Sequence, residues 1–238
     1  MGIYIFDKDI LIKRLIEDAA KPASLHDFGY SIIPEMVSND NVYAYEFEDF
    51  WRDIGTVDAY YNTNMELLNS KTTFNFDGGW PILTCANYTT LKRFPNSSIE
   101  NSVISPGCVI KGKVENSILS PGVYVGEQAI VRNSILLPDV FVGFHSIVES
   151  SIIDEVADIG VFCYIGFNSD HNQMTEHTII GKGAVIAAHT AIARGYKILP
   201  YASTGEFAGS VLIKNYRDEE TVQPSQNQWD KTKVALND

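Results

Sequence analysis

The chain has 238 residues, 45% of them hydrophobic and 20% charged, which suits one large or two modest globular domains. Thirty acidic against eighteen basic residues give a formal charge of −12, a balance that repels nucleic acid and anionic lipid. No run of 18 apolar residues exists, so no membrane span is expected.

The start "MGIYIFDKDI" has neither a basic region nor a small-residue cleavage site, so it does not read as a signal peptide and a cytoplasmic location is expected. Gly2–Phe6 reads instead as a buried strand. Asp7 is placed to cap a following helix whose apolar residues Ile12, Leu15, Ile16 and Ala19 recur at helical spacing. Ser24 and Asp27 have capping-box spacing, which predicts a short helix over Leu25–Ile33. Val42–Glu48 alternates as a strand with Tyr43, Tyr45 and Phe47 on one face. Trp51, Arg52 and Asp53 then precede a Gly-Thr turn, and Thr56 should cap a helix carrying Val57, Tyr60, Tyr61, Met65 and Leu68 along one side. These elements make a small α/β segment over residues 1–70, too little for an independent core. Residues 71–97 read as a linker.

The second half repeats. "NSVI" at Asn101, "NSIL" at Asn116, "NSIL" at Asn133 and "SSII" at Ser150 recur at steps of 15, 17 and 17 residues. Turn pairs Pro106-Gly107, Pro121-Gly122, Pro138-Asp139 and Glu155-Val156 keep the same step, as do Val125-Gly126, Val142-Gly143 and Ile159-Gly160. Farther on, Ile180, Ile186, Ile192 and Ile198 recur every six residues. An inward aliphatic every six residues, three per turn, describes a triangular coil of short parallel strands with Gly, Pro, Asn and Asp at the corners. The coil is predicted over 98–213, with a side loop at 166–178 and a polar tail at 214–238. Cys85, Cys108 and Cys163 lack metal-site spacing and read as buried thiols. Histidines 145 and 189 fall on coils, and 171 and 177 in the loop; each reads as a corner or surface residue.

The coils resemble hexapeptide-repeat, left-handed β-helices; the handedness comes from that resemblance. Together with "MGIYIF", "HDFGYSIIP", "VYAYEFEDFWRDIGTVDAYYNTNMELL" and "WPILT", they resemble the C-terminal half of the ADP-glucose pyrophosphorylase (glucose-1-phosphate adenylyltransferase) family. The fold so implied is mostly β, a left-handed parallel β-helix preceded by a remnant of an α/β nucleotidyltransferase domain. The family transfers AMP from ATP to glucose 1-phosphate in glycogen and starch synthesis. The resemblance implies that Tyr4, Asp27, Phe28 and Trp51 line the sugar-phosphate side of its site. It further implies that Asp53 is one of two carboxylates holding Mg²⁺.

The family's Gly-rich ATP loop, its other metal carboxylate and its phosphate-binding lysine belong to the preceding half and have no counterpart here. The chain is therefore expected to be inactive alone, and to need a homo-oligomer or a complementing catalytic chain. Two alternatives stand beside this reading: a non-catalytic assembly or regulatory subunit of the same enzyme, and a hexapeptide-repeat acyltransferase. On residues alone, Asp53 reads rather as a solvated turn acid or an ion-pair partner of Arg52, and Tyr4, Phe28 and Trp51 as packing aromatics.

Overall fold

A computed structural model of the chain describes residues 2–48, 50–69, 90–168 and 177–205, and the backbone of 211–212. It divides into two compact units, Met1–Asp53 and Ile54–Asp238.

In the first unit Asp7 does cap a helix, α1 (Lys8–Ala19): its Oδ1 accepts from the backbone N–H of Asp9 at 3.0 Å and of Ile10 at 3.2 Å. One turn of π-helix follows over Phe28–Ile32, running directly into α2 (Ile33–Asn39). The predicted helix thus begins three residues late. Asp27 caps it by accepting from Tyr30 N at 2.8 Å, whereas Ser24 is drawn away to Asp18 and forms no capping box. Arg14 ties the two α-helices together: its guanidinium donates twice to Asp40, at 2.8 and 3.0 Å, and once to Glu17 at 2.8 Å. That pairing holds the Asp40 carboxyl below its ordinary range.

Two sequence expectations fail in this unit. Gly2–Phe6 and Val42–Glu48 are not strands, and their apolar residues are not buried: Ile5 is 99% exposed, Tyr43 and Tyr45 88% each. The physical reason is pairing. A strand stands only when a neighbour takes its N–H and C=O groups, and among the described residues these segments have none. The α1 stripe meets the same fate, with Ile12, Leu15 and Ile16 exposed.

The second unit is a parallel β-solenoid of about six turns. Its short strands stack into three parallel sheets of six, seven and six strands. One sheet aligns Val109, Tyr124, Phe141, Asp158 and Val185 in register; the others align Val114, Val131, Val148 and Ile165, and Leu119, Leu136, Ile153, Ile180 and Ile198. The hexad aliphatics fill the interior, buried as their spacing predicts. Each contributes roughly 1.5–3 kcal/mol by leaving water. Cys108 and Cys163 are free, buried thiols, their pKa values pushed up by that burial; Cys85 lies outside the described residues.

The corners explain the repeated tetrapeptides. Asn101, Asn116, Asn133 and Ser150 all take φ between 40° and 48°, a left-handed conformation that Asn tolerates. The serine after each turns inward and links the coils. Ser117 Oγ donates to Glu115 O at 2.7 Å and accepts from Ser134 N at 3.1 Å; Ser134 repeats this with Arg132 O and Ser151 N. A second corner column is Gly107, Gly122, Asp139 and Val156, a third Gln128, His145, Phe162 and His189. The step of 15 also has a cause. Lys113 pairs with Ile130 and Lys111 N donates to Val125 O, so one corner is two residues short. Gly112 fills it, where a Cβ would lie 2.2 Å from the carbonyl oxygen of Ala129.

Helix α3 (Val57–Glu66) belongs to this unit, and Thr56 caps it as predicted, its Oγ1 accepting from Ala59 N at 3.1 Å. Its buried side is Tyr61, packed with Ile135 and Ile152 and flanked by Tyr60 and Met65. Residue 70, residues 71–89 of the expected linker and residues 169–176 of the expected side loop lie outside the described residues, as does the tail. No described helix is long and apolar enough to cross a membrane.

Candidate functional site

The residues singled out by sequence all fall in the first unit. Tyr4, although not on a strand, sits against Phe28: their rings stack at 22° with centroids 6.0 Å apart, and Phe6 completes a trio at 6.0 and 5.7 Å. Asp27, next in sequence to Phe28, is fixed by its bond from Tyr30 N. Gly29 leaves room beside it, since a Cβ there would stand 3.3 Å from the Asp27 carboxylate. Trp51 and Asp53 are exposed. Arg52 donates to the Trp51 carbonyl at 3.0 Å and lies 4.9 Å over the Phe50 ring. The structure therefore stacks Tyr4 on Phe28, with Asp27 the chain neighbour of Phe28, and leaves Trp51 and Asp53 on the segment leading to α3.

Three polar residues that sequence reasoning did not bring together converge just before Asp27. Asp18 is buried near the C-terminal end of α1, where the helix dipole disfavours a carboxylate. Its two oxygens are matched by Ser24 Oγ at 2.5 Å and His26 Nδ1 at 2.8 Å. These bonds, Ser24 first, hold its pKa below the ordinary value despite burial. His26 itself lies at φ 53°, a left-handed backbone costing a non-glycine residue about 1–2 kcal/mol. The signal was in the quoted "HDFG" stretch. Nothing in linear spacing, however, ties Asp18 to a histidine eight residues on.

The solenoid unit carries a separate polar groove of about 740 Å³, bordered by Tyr61, Asn133, Glu149, His177 and Arg194. Glu149 accepts from Arg132 at 2.8 Å, Tyr164 at 3.0 Å and Arg194 at 3.4 Å. Burial alone would raise its pKa, but these partners, Arg132 foremost, bring it below the ordinary value. His177 stacks on Tyr61 with ring centroids 3.6 Å apart, and burial pushes its pKa down. His145 and His189 stack on the two faces of Phe162, at 5.3 and 5.1 Å, as rungs of the corner column. His171 lies outside the described residues.

Comparison with known proteins places this architecture. Residues 1–70 match the family model described as Nucleotidyl transferase, and residues 85–187 the one described as GlmU-like, C-terminal hexapeptide. The chain is thus a nucleotidyltransferase segment joined to a hexapeptide-repeat solenoid. Among curated relatives, a glucose-1-phosphate adenylyltransferase of Acetivibrio thermocellus is 36% identical over 221 residues, 87% of this chain and 51% of the relative. One from Desulfitobacterium hafniense is 34% identical over 83% of this chain and 51% of itself. One from Fervidobacterium nodosum reaches 42% over 56% of this chain and 32% of itself. The chain is homologous to the C-terminal half of glucose-1-phosphate adenylyltransferases, and spans about half the length of the first of these relatives. Neither alternative, regulatory subunit or acyltransferase, is favoured by these matches.

Proposed function

We propose that this chain carries the sugar-phosphate side of a glucose-1-phosphate adenylyltransferase site. The observation that supports the reading is the stacking of Tyr4 on Phe28 beside the capped Asp27, three residues that family resemblance assigns to one pocket. The reaction joins a phosphate oxygen of glucose 1-phosphate to the α-phosphorus of ATP and expels pyrophosphate. The aromatic pair offers an apolar wall to a sugar ring, and Asp27 a fixed acceptor for its hydroxyls. Trp51 adds a second aromatic surface.

Mg²⁺ would neutralise charge on the phosphates and orient them when bound. Asp53 fits it as one ligand, since Mg²⁺ is commonly held by one or two carboxylates plus substrate phosphates. Among the described residues no group of three His, Cys, Asp or Glu side chains could hold a metal ion. The remaining ligands and the ATP site would, as the family resemblance implies, come from a complementing chain or domain, in a cytoplasmic oligomer.

The test is calorimetric titration of the chain with glucose 1-phosphate, then pyrophosphate release with ATP and Mg²⁺ after adding the N-terminal half of a relative. Binding weakened about tenfold or more by Asp27→Asn, and complemented turnover abolished by Asp53→Asn, supports the reading. Binding unchanged by Asp27→Asn and Tyr4→Ala overturns it.

A further inference from the structure

We infer that His26 is a further ligand-contacting residue of this pocket, clamped by Asp18 so that its second ring nitrogen meets the sugar phosphate. The inference rests on the proposed sugar-phosphate reading and adds a residue to it.

Three features coincide at this one point of the chain. A carboxylate is buried where the end of α1 disfavours it, with its side chain only 7% exposed. A non-glycine residue is held at positive φ. A π-helical turn begins two residues later, and such turns concentrate at functional sites. Each is unfavourable by itself, and together they fix the ring that precedes Asp27. Asp18 takes Nδ1 at 2.8 Å, and Ser24 holds both the other Asp18 oxygen and, at 3.1 Å, the His26 backbone N–H.

With Nδ1 donating to the carboxylate, a neutral ring has its lone pair on Nε2. The side chain is 55% exposed, and among the described residues Nε2 has no hydrogen-bond partner. A ring held at one nitrogen and open at the other suits a ligand oxygen: as acceptor it takes a sugar hydroxyl, as imidazolium it donates to phosphate. A clamp needed only to close the loop between α1 and the π-turn would use Nδ1 and leave Nε2 idle. That contrast makes the two roles separable.

Glutamine places an amide nitrogen near the position of Nε2, and asparagine one near Nδ1. Titration of the ¹⁵N-labelled chain with glucose 1-phosphate should move the His26 Nε2 resonance, with glucose and inorganic phosphate as probes for the hydroxyl and phosphate contacts. His26→Asn should keep the thermal midpoint within a few degrees and weaken binding about tenfold or more, while His26→Gln keeps most of the affinity. A wild-type chain that binds while Nε2 stays unmoved overturns the inference and leaves the site reading standing. So does a His26→Asn chain that binds normally. A wild-type chain that does not bind glucose 1-phosphate removes the reading, and this inference with it.

Discussion

Tyr61 donates its hydroxyl hydrogen bond to the carbonyl oxygen of Asn133 at 2.6 Å, across 72 residues of sequence. The bond ties α3 to the corner column of the solenoid, beside the contacts of Tyr61 with Ile135 and Ile152. Tyr61→Phe keeps the ring and its packing but leaves that carbonyl without its donor. The expected cost is about 1–2 kcal/mol, read as a fall of a few degrees in the thermal midpoint. An unchanged midpoint would mean that packing alone holds the helix.

Val156 is a β-branched residue at φ 53°, in a corner column where other coils use Gly107, Gly122 and Asp139. Its side chain is half-exposed, so replacement sacrifices little burial. Val156→Asn should stabilise the chain by about 1 kcal/mol through relief of left-handed strain. Chemical denaturation would show a higher midpoint at unchanged slope.

Gly143 stands in the stacked column of Gly126 and Gly160, and a Cβ on it would meet the Gly160 carbonyl carbon and oxygen at 2.6 Å. These are backbone atoms in a ladder and cannot swing aside. Gly143→Ala should therefore cost about 2 kcal/mol or more, with the coils forced apart. Gly2→Ala, at a position with nothing within 4 Å, is the control and should be neutral.

His177 gives an acid-side dependence. Burial lowers its folded-state pKa from the ordinary 6.5, so the unfolded chain binds its proton more readily. The stabilisation is present in full above the unfolded value and drains away as pH falls from there through the folded value. Thermal midpoints between pH 7 and pH 5 should fall in wild type and fall less in His177→Gln. Equal slopes would assign the acid sensitivity to other groups.

Much of the solenoid was legible because its information is local and repeated. Asn101 and Ser102, Asn116 and Ser117, Asn133 and Ser134 each announce a corner and a rung. The hexad Ile180 to Ile198 marks the interior without reference to anything distant. Thr56 and Asp7 were equally readable, since a cap is decided within three residues. Gly2–Phe6 and Val42–Glu48 were not, because alternation reports what a strand would bury only if a neighbour exists. Asp18 and His26 escaped for a related reason: their meeting depends on a loop whose path the residue types do not dictate. Asp27 and Phe28 became site candidates only through family resemblance, since no periodicity or spacing singles them out.

The serine rungs have one more consequence. Each coil hands a hydrogen bond to the next at an identical place, and each corner residue sits over its equivalent exactly one turn away in sequence. Removing residues 133–149 would join Arg132 to Ser150 and reproduce every register of the coil lost, whereas removing one residue fewer would turn every inward side chain outward. Length in this half of the molecule is therefore quantised. It grows or shrinks by whole turns, except at the Gly112 corner, where the missing side chain lets one coil close two residues short.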